Sequence, residues 1–361
     1  MDRILKIGII GCGGIANGKH MPSLKAIPNV EMVAFCDIIP EKAQKAAKEF
    51  GTPDAKVYTD YKELLKDESI EVVHVLTPNK EHADITVDAL YAGKHVMCEK
   101  PMAKTAADAR RMVEAAEATG KKLTIGYQHR QKVSAQFAKE YIETDALGEI
   151  YYANCYAVRR RGTPNWGVFL NEEEQGGGPI IDIATHSLDL TLYLMNNYEP
   201  AIVLGKTHKK LEHPEAGNIW GDNGVSDTPL EEAACAFIQM KNGATIMLET
   251  SWALNTAEPI AEGSCVLCGS KAGLSLKNDK LVINKVELNK LTQTNVDTSA
   301  GGVAFYDGAA ASPQLTEAVN WINCILNDTD PVVLPRQALV VSEILEAIYT
   351  SSQTGKPVYF E

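Results

Sequence analysis

Residues Ile4–Ile10 read ILKIGII, residues 11–20 read GCGGIANGKH, and Val30–Asp37 read VEMVAFCD. The first and third are short apolar runs of the kind that become parallel strands buried on both faces. Between them, Gly11, Gly13 and Ala16 fit G-x-G-x-x-A, with Gly14 and Ile15 completing the loop. In such a loop the first glycine allows a tight turn and the second lets the backbone approach a pyrophosphate. The small third residue lets helix and strand pack closely. Free N–H groups at the helix start then face the phosphates. Asp37 closes the second run, 21 residues after Ala16. A carboxylate there accepts hydrogen bonds from ribose hydroxyls and repels a 2′-phosphate. Ile38, Ile39 and Pro40 follow it, with no arginine among them. The context points to a dinucleotide site that prefers NAD to NADP, against the plainer alternative of a structural glycine turn.

The alternation continues outward. Pro40 at a first helical position leads EKAQKAAKEF; Val57 marks a short strand and DYKELLKD a short helix. EVVHVLTP, KHVMCEKP and LTIGYQHR read as further strands, separated by helices over 81–91 and 103–118 that stop at Gly93 and Gly120. Strand–helix alternation of this kind predicts a doubly wound parallel sheet, an α/β domain over residues 1–126. Such sheets bind ligands beyond the carboxyl ends of their strands. That selects Gly11–Ala16, Asp37, Thr77–Asn79, Glu99–Pro101 and Gln128–Arg130.

The rest of the chain, 127–361, reads as an α+β domain with a large, mainly antiparallel sheet. A helix over 132–144 precedes EIYYANCYAV, and later runs include AIVLGK, EEAACAFIQM, ATIMLETSWAL, SCVLCGS and KLVINKVEL. Asn242-Gly243 between two of them is a strong hairpin signal. Ile246, Met247 and Leu248 are consecutive, so both faces of that strand are apolar. Helices cover one face; a partner subunit is the candidate for the other, which predicts a homo-oligomer through this sheet. Closing helices are expected near 313–326 and 335–351.

Composition narrows the function classes. The 361 residues carry 35 Lys+Arg and 47 Asp+Glu, a formal net charge of −12. An acidic chain is a poor partner for nucleic acid, where affinity begins with phosphate neutralisation, and for an anionic membrane surface. No apolar run is long enough to span a bilayer. The eight cysteines lie mostly in apolar runs and read as reduced, buried filler in a cytoplasmic protein. Cys265 and Cys268 sit three apart on a strand and face opposite ways, unlike a zinc pair. No metal is expected.

One helix carries chemistry. Gly176-Gly177-Gly178 precedes PIIDIATHSLDLTLYLM, in which Asp182, His186 and Asp189 fall at i, i+4 and i+7. At helical spacing these share a face. A histidine one turn from a carboxylate is a candidate base with an orienting partner. The spacing equally allows a solvated acidic stripe with a capping aspartate. Arg159-Arg160-Arg161, followed by Gly162, Pro164, Asn165 and Trp166, offers hydroxyl-binding donors and an aromatic platform for a sugar ring. It also reads as a solvated loop with a core tryptophan.

Taken together, GIIGCGGIA, the Asp37 strand end, LTPNKEHADITVDALYAGKHVMCEKPM, GYQHR and GGGPIIDIATHSLD resemble the glucose–fructose oxidoreductase and inositol dehydrogenase (Gfo/Idh/MocA) family. Ala184 departs from the glycine of many members. The resemblance implies that Lys100 of E-K-P, joined to Pro101 by a cis peptide, stands beside the nicotinamide and the reacting alcohol. It implies that Asp182 and His186 form the proton-transfer dyad. Thr77, Pro78, Asn79, His82 and Glu99 take cofactor-side positions. Gln128, His129 and Arg130 line the junction of cofactor and substrate, with Arg159, Arg161 and Trp166 on the substrate side. The run R-R-R-G-x-P-x-W-G-V-F looks like that of members acting on sugars or glycosides, some at the 3-hydroxyl.

Three functions follow as alternatives. The first is an NAD-dependent dehydrogenase of a sugar, glycoside or cyclitol. The second is an NAD-using glycosidase that cleaves by transient oxidation and elimination. The third is a non-catalytic NAD-binding sensor.

Overall fold

The computed structural model describes residues 3–298 and 312–361. Six strands, β1 (Leu5–Ile10), β2 (Val30–Cys36), β3 (Lys56–Tyr58), β4 (Val72–Val75), β5 (His95–Cys98) and β6 (Leu123–Ile125), form one sheet in the order β3-β2-β1-β4-β5-β6. Every pairing in it is parallel. This is the doubly wound order whose reversal lies beside β1. β1 and β4 are almost wholly buried because helices cover both faces. The intervening helices start where their caps dictate. The helix expected from residue 103 begins at Ala106, because the Thr105 side chain accepts the Asp108 N–H and fixes the N-terminus there.

Helix Pro313–Leu326 packs in this first unit. Trp321, Ile322 and Ile325 join Ile7, Met21 and Leu24 in one buried cluster, and each such side chain stabilises by roughly 1.5–3 kcal/mol. The first unit, ending its leading segment at Gln128, therefore reclaims a later segment that ends at Leu339. By packing, the expected second domain over 127–361 is interrupted. A long amphipathic helix near the end of a chain can bury its stripe on either sheet, and its own sequence does not say which.

The second unit begins at His129 and takes the chain from Val340 to Glu361. Its strands are β7 (Ile150–Val158), β8 (Pro200–His208), β9 (Ala233–Met240), β10 (Thr245–Ser251), β11 (Ile260–Gly269), β12 (Ala272–Lys277), β13 (Lys280–Glu287), β14 (Lys290–Val296) and β15 (Val358–Tyr359), ordered β14-β13-β12-β11-β7-β10-β9-β8-β15. Only β7 and β10 pair in parallel; the other neighbours are antiparallel. The Asn242-Gly243 hairpin joins β9 to β10, with Gly243 at φ +90°. Ala153, Cys155, Ile238, Ile246, Leu248 and Leu267 are buried on one face. On the other, Leu204, Phe237, Met247, Asn154 and Val266 align in one row across five strands, and all five are only partly buried or exposed. Both faces of β10 are thus apolar at its centre, as its three consecutive apolar residues require.

Candidate active site

The glycine loop is built for close approach. A Cβ on Gly11 would lie 2.6 Å from the Leu76 carbonyl oxygen, and Gly11 sits at φ +92°, so glycine is required. Positions 13 and 14 face open space instead. The Asn17 side chain donates to the Cys12 and Gly13 carbonyls at 2.9 and 2.7 Å and holds the loop in shape. Asp37 accepts the Cys12 N–H on Oδ2 and the Ile39 N–H on Oδ1, both at 2.9 Å, which fixes the carboxylate at the end of β2. Thr77 Oγ1, just beyond β4, is buried with no hydrogen-bond partner among the described residues. An open glycine cradle, a clamped acceptor and an unsatisfied hydroxyl beyond neighbouring parallel strands fit a dinucleotide.

The Lys100–Pro101 peptide is cis. Behind it lies a buried ionic cluster absent from the sequence reading. Lys19 Nζ is 2.7 Å from Glu99 Oε1 and 2.9 Å from Glu317 Oε2, and donates to Gln128 Oε1 at 3.2 Å. His20 Nε2 meets the same Glu99 oxygen at 2.7 Å, while the other Glu99 oxygen accepts the Lys100 N–H at 3.1 Å. Lys19 and His20 come from a π-helical turn, Ala16–His20, directly after the glycine loop. Burial opposes ionisation of Glu99, yet Lys19 and His20 hold its pKa well below the ordinary value. Burial also lowers the His20 pKa.

His82 serves differently from expectation. Its ring nitrogens lie 2.8 Å from the Pro101 carbonyl and 2.9 Å from the Thr77 carbonyl. It is buried, so it braces two strand-end loops instead of facing a ligand. Pro78 is exposed and Asn79 buried beside it.

In the second unit the glycine run before Asp182 has a packing cause. A Cβ on Gly177 would fall 2.0 Å from the Tyr349 hydroxyl, and one on Gly178 would fall 2.7 Å from the Glu231 carbonyl oxygen. Glu231 accepts N–H groups of Gly178 and Ile180 and the Tyr349 hydroxyl, so it caps the incoming helix. That helix opens with a second π-helical turn, Ile180–Ala184, and continues as Thr185–Met195. Asp182 lies in the π turn. Its Oδ2 accepts the Trp252 indole N–H at 2.9 Å and stands 4.0 Å from an Arg159 nitrogen. His186 opens the α-helical part, buried, with its ring 4.8 Å from that of His129. His129 is held in turn against Gly263, where a Cβ would strike its ring at 2.1 Å.

Two expected substrate residues have other employment. Arg130 is fully buried and pairs with Asp189 through two hydrogen bonds of 2.9 and 2.6 Å. Burial opposes its charge, but the Asp189 carboxylate raises its pKa above the ordinary arginine value. Asp189 therefore belongs to an internal ion pair, not to an exposed acidic stripe with Asp182. Arg161 donates to the carbonyls of Arg160, Ala216 and Leu254 and to Asn255 Oδ1, a set that staples loops together. Arg159 remains beside Asp182, pairs with Glu262 at 3.3 Å, and lies 5.5 Å over the Trp220 ring. Trp166 is 48% exposed, so it is not a core tryptophan; Trp252 and Trp321 are. Gln128 is part-buried, with its oxygen engaged by Lys19.

Six of the cysteines are buried, Cys268 is half-buried and Cys235 exposed. Among the described residues no group of three or more His, Cys, Asp or Glu is placed to hold a metal ion, and no helix is long and apolar enough to cross a membrane.

Family models for the oxidoreductase family match both parts of the chain: the NAD-binding Rossmann fold over residues 5–127 and the C-terminal alpha/beta domain over 139–360. The chain belongs to the Gfo/Idh/MocA oxidoreductase family. It is an NAD-dependent oxidoreductase. Among Gfo/Idh/MocA relatives, the D-glucoside 3-dehydrogenase of Escherichia coli (strain K12) is 33% identical over 355 residues, covering 98% of this chain and 97% of that protein. The inositol 2-dehydrogenase of Salmonella typhimurium (strain LT2) is 39% identical over 146 residues, 40% of this chain and 43% of that one. A levoglucosan dehydrogenase solved with NADH and levoglucosan shares the fold, with a TM-score of 0.84 at 22% identity over 99% of both chains.

Proposed function

We propose that this oxidoreductase removes hydride from a sugar-ring carbon that bears a secondary hydroxyl, and that a D-glucoside, oxidised at its 3-hydroxyl, is its substrate. The observation that carries the reading is Asp182 held between the Trp252 indole and Arg159, four residues before His186. The E. coli relative of matching length, a D-glucoside 3-dehydrogenase, supports the substrate class.

NAD, when bound, accepts the hydride. The cradle of Gly11, Gly13, Gly14 and Ile15, with Asp37 and Thr77, would hold it. The chain supplies the rest. His186 takes the hydroxyl proton as general base. Asp182, its carboxylate fixed by Trp252, orients the imidazole and stabilises its charged form. Lys100 stabilises developing alkoxide character, and Glu99 fixes its backbone. His129 and Arg159 flank the sugar. The same groups in reverse reduce a ketone. A second copy of the chain covers the apolar row through Phe237 and Met247, giving a homo-oligomer.

The test is NADH formation at 340 nm with a panel of free sugars, cyclitols and methyl glucosides. Glucosides giving NADH support the reading. Aglycone release from a chromogenic glucoside without an accumulating keto-glucoside would favour cleavage by transient oxidation.

A further inference from the structure

Beyond the oxidation itself, one feature of the second unit lies outside the reacting centre. Residues 209–232 form a long connection between β8 and β9, and it carries Trp220. Trp166 and Trp220 meet nearly at right angles, ring centroids 4.8 Å apart and planes at 82°. Both indoles are substantially exposed, at 48% and 41%, and neighbouring Ile219 is more so, at 69%.

The corner is rigidly built. Asn218 Oδ1 accepts the Thr163 N–H at 2.9 Å, and its amide donates to the Thr163 and Gly221 carbonyls at 3.1 and 2.7 Å. Asn165 donates to the Trp220 and Gly221 carbonyls, both at 2.9 Å, and Asn223 donates to the Asn165 carbonyl at 2.8 Å. Arg161 adds its bond to the Ala216 carbonyl. These bonds fix the two backbones against each other while each indole keeps a large exposed area. Exposed tryptophan held by so many polar staples is pre-organised for a ligand.

The corner is also continuous with the catalytic carboxylate. Arg159 lies over the Trp220 ring while one of its nitrogens is 4.0 Å from Asp182. Arg159 itself is pinned by its bond to the Gly162 carbonyl at 3.1 Å, where an added Cβ would crowd it at 3.0 Å. On the other side, Trp166 packs edge-on against Phe169, which packs on the buried cluster of Trp252, the indole that donates to Asp182. A group resting on Trp220 is therefore one side chain, Arg159, away from Asp182, and one resting on Trp166 is two, Phe169 and Trp252, away.

We propose that Trp166 and Trp220 form an aglycone subsite, which takes the apolar, preferably aromatic, substituent of a glucoside whose sugar ring reacts at Asp182 and His186. The proposal rests on the sugar-oxidation reading above. Two perpendicular indole faces offer a flat ring one stacked and one edge-to-face contact. A methyl aglycone reaches neither. The occupant is part of the substrate because the corner shares Arg159 with the reacting centre.

The test is equilibrium binding by calorimetry of methyl and phenyl D-glucosides, each anomer, to the NADH-loaded enzyme. The wild type, Trp220→Ala and Trp166→Ala are compared, with circular dichroism as the folding control. The expected result is phenyl glucoside bound about tenfold tighter than methyl glucoside. That preference falls towards one in Trp220→Ala, while the methyl glucoside affinity stays unchanged and serves as a second control. Equal binding of the two glucosides to the wild type, or a preference surviving in both variants, overturns the subsite. If the phenyl preference is found but no glucoside yields NADH, the subsite stands and the oxidation reading falls. If glucosides yield NADH with no phenyl preference, the reverse holds.

Discussion

Lys19 and Glu99 meet at 2.7 Å, both buried, although 80 residues separate them. One end of this contact follows the glycine loop; the other is the first residue of E-K-P. Glu99 passes the constraint to the Lys100 backbone through its second oxygen. The loop expected to hold NAD and the loop expected to act on the alcohol are thereby tied through one ion pair within the same unit.

Replacing Lys19 by methionine would leave Glu99 and Glu317 buried without their cation. Loss of one partner of a buried pair costs about 3–5 kcal/mol. The expected outcome is a lower urea midpoint and a lower kcat, both partly restored by adding Glu317→Gln. A midpoint within error of wild type for Lys19→Met would show that the cluster contributes nothing.

Arg130 and Asp189 make a second internal pair with the same logic. Arg130→Ala should destabilise by about 3–5 kcal/mol. The double variant Arg130→Met/Asp189→Leu should recover much of that, because neither charge is then stranded. Chemical denaturation of the three proteins checks this. A stable Arg130→Ala with a raised KM for sugar would return Arg130 to the substrate.

We propose that Asp37 sets the cofactor. Asp37→Ser removes a charged acceptor worth about 1.5–3 kcal/mol, so the Kd for NAD should rise by roughly 10–100-fold while NADP binding improves. Titration of both dinucleotides by fluorescence reads this directly; unchanged selectivity would move the ribose contact elsewhere.

Several histidines are buried in the uncharged form, which gives stability a definite pH dependence. Burial lowers the pKa of His74 and His82 and brings that of His95 to about 4. The unfolded chain, with histidine near 6.5, takes up protons first, so stability is full above about pH 6.5 and falls as pH drops towards 4. His95→Asn keeps an acceptor for the Lys122 N–H and should reduce the Tm loss between pH 7 and pH 5 by on the order of 2 °C. Identical Tm profiles for wild type and variant would exclude His95 from the effect.

The open sheet face supplies a test of assembly. Phe237→Asp with Met247→Asp places two charges in the aligned apolar row and should convert an oligomer to monomer in analytical ultracentrifugation. A wild type that sediments as a monomer contradicts the oligomer.

The strand–helix alternation, the hairpin at Asn242-Gly243 and the strand-end residues were legible because each is a local pattern of apolar spacing and turn chemistry. What escaped was held by distant partners. Trp252 finds Asp182 across 70 residues and Tyr349 finds Glu231 across 118. Arg130 looks like a substrate donor in GYQHR until Asp189, 59 residues on, is seen against it. Trp220 sits in a polar connection with no periodicity, so only its exposed meeting with Trp166 marks it. Gly177 and Gly178 stand where Tyr349 and Glu231 come against the backbone, partners far along the chain that no local pattern discloses.

The central claim is hydride removal from the sugar 3-carbon, with His186 as base. It is tested most directly with methyl D-glucoside carrying deuterium only at carbon 3, incubated with enzyme and NAD, the nicotinamide then being extracted and its isotope content read by mass spectrometry. The account predicts deuterium in the reduced nicotinamide, a 3-keto product, and neither in His186→Ala, although that variant still binds NAD. Deuterium retained in the sugar, or transfer undiminished in His186→Ala, would contradict it.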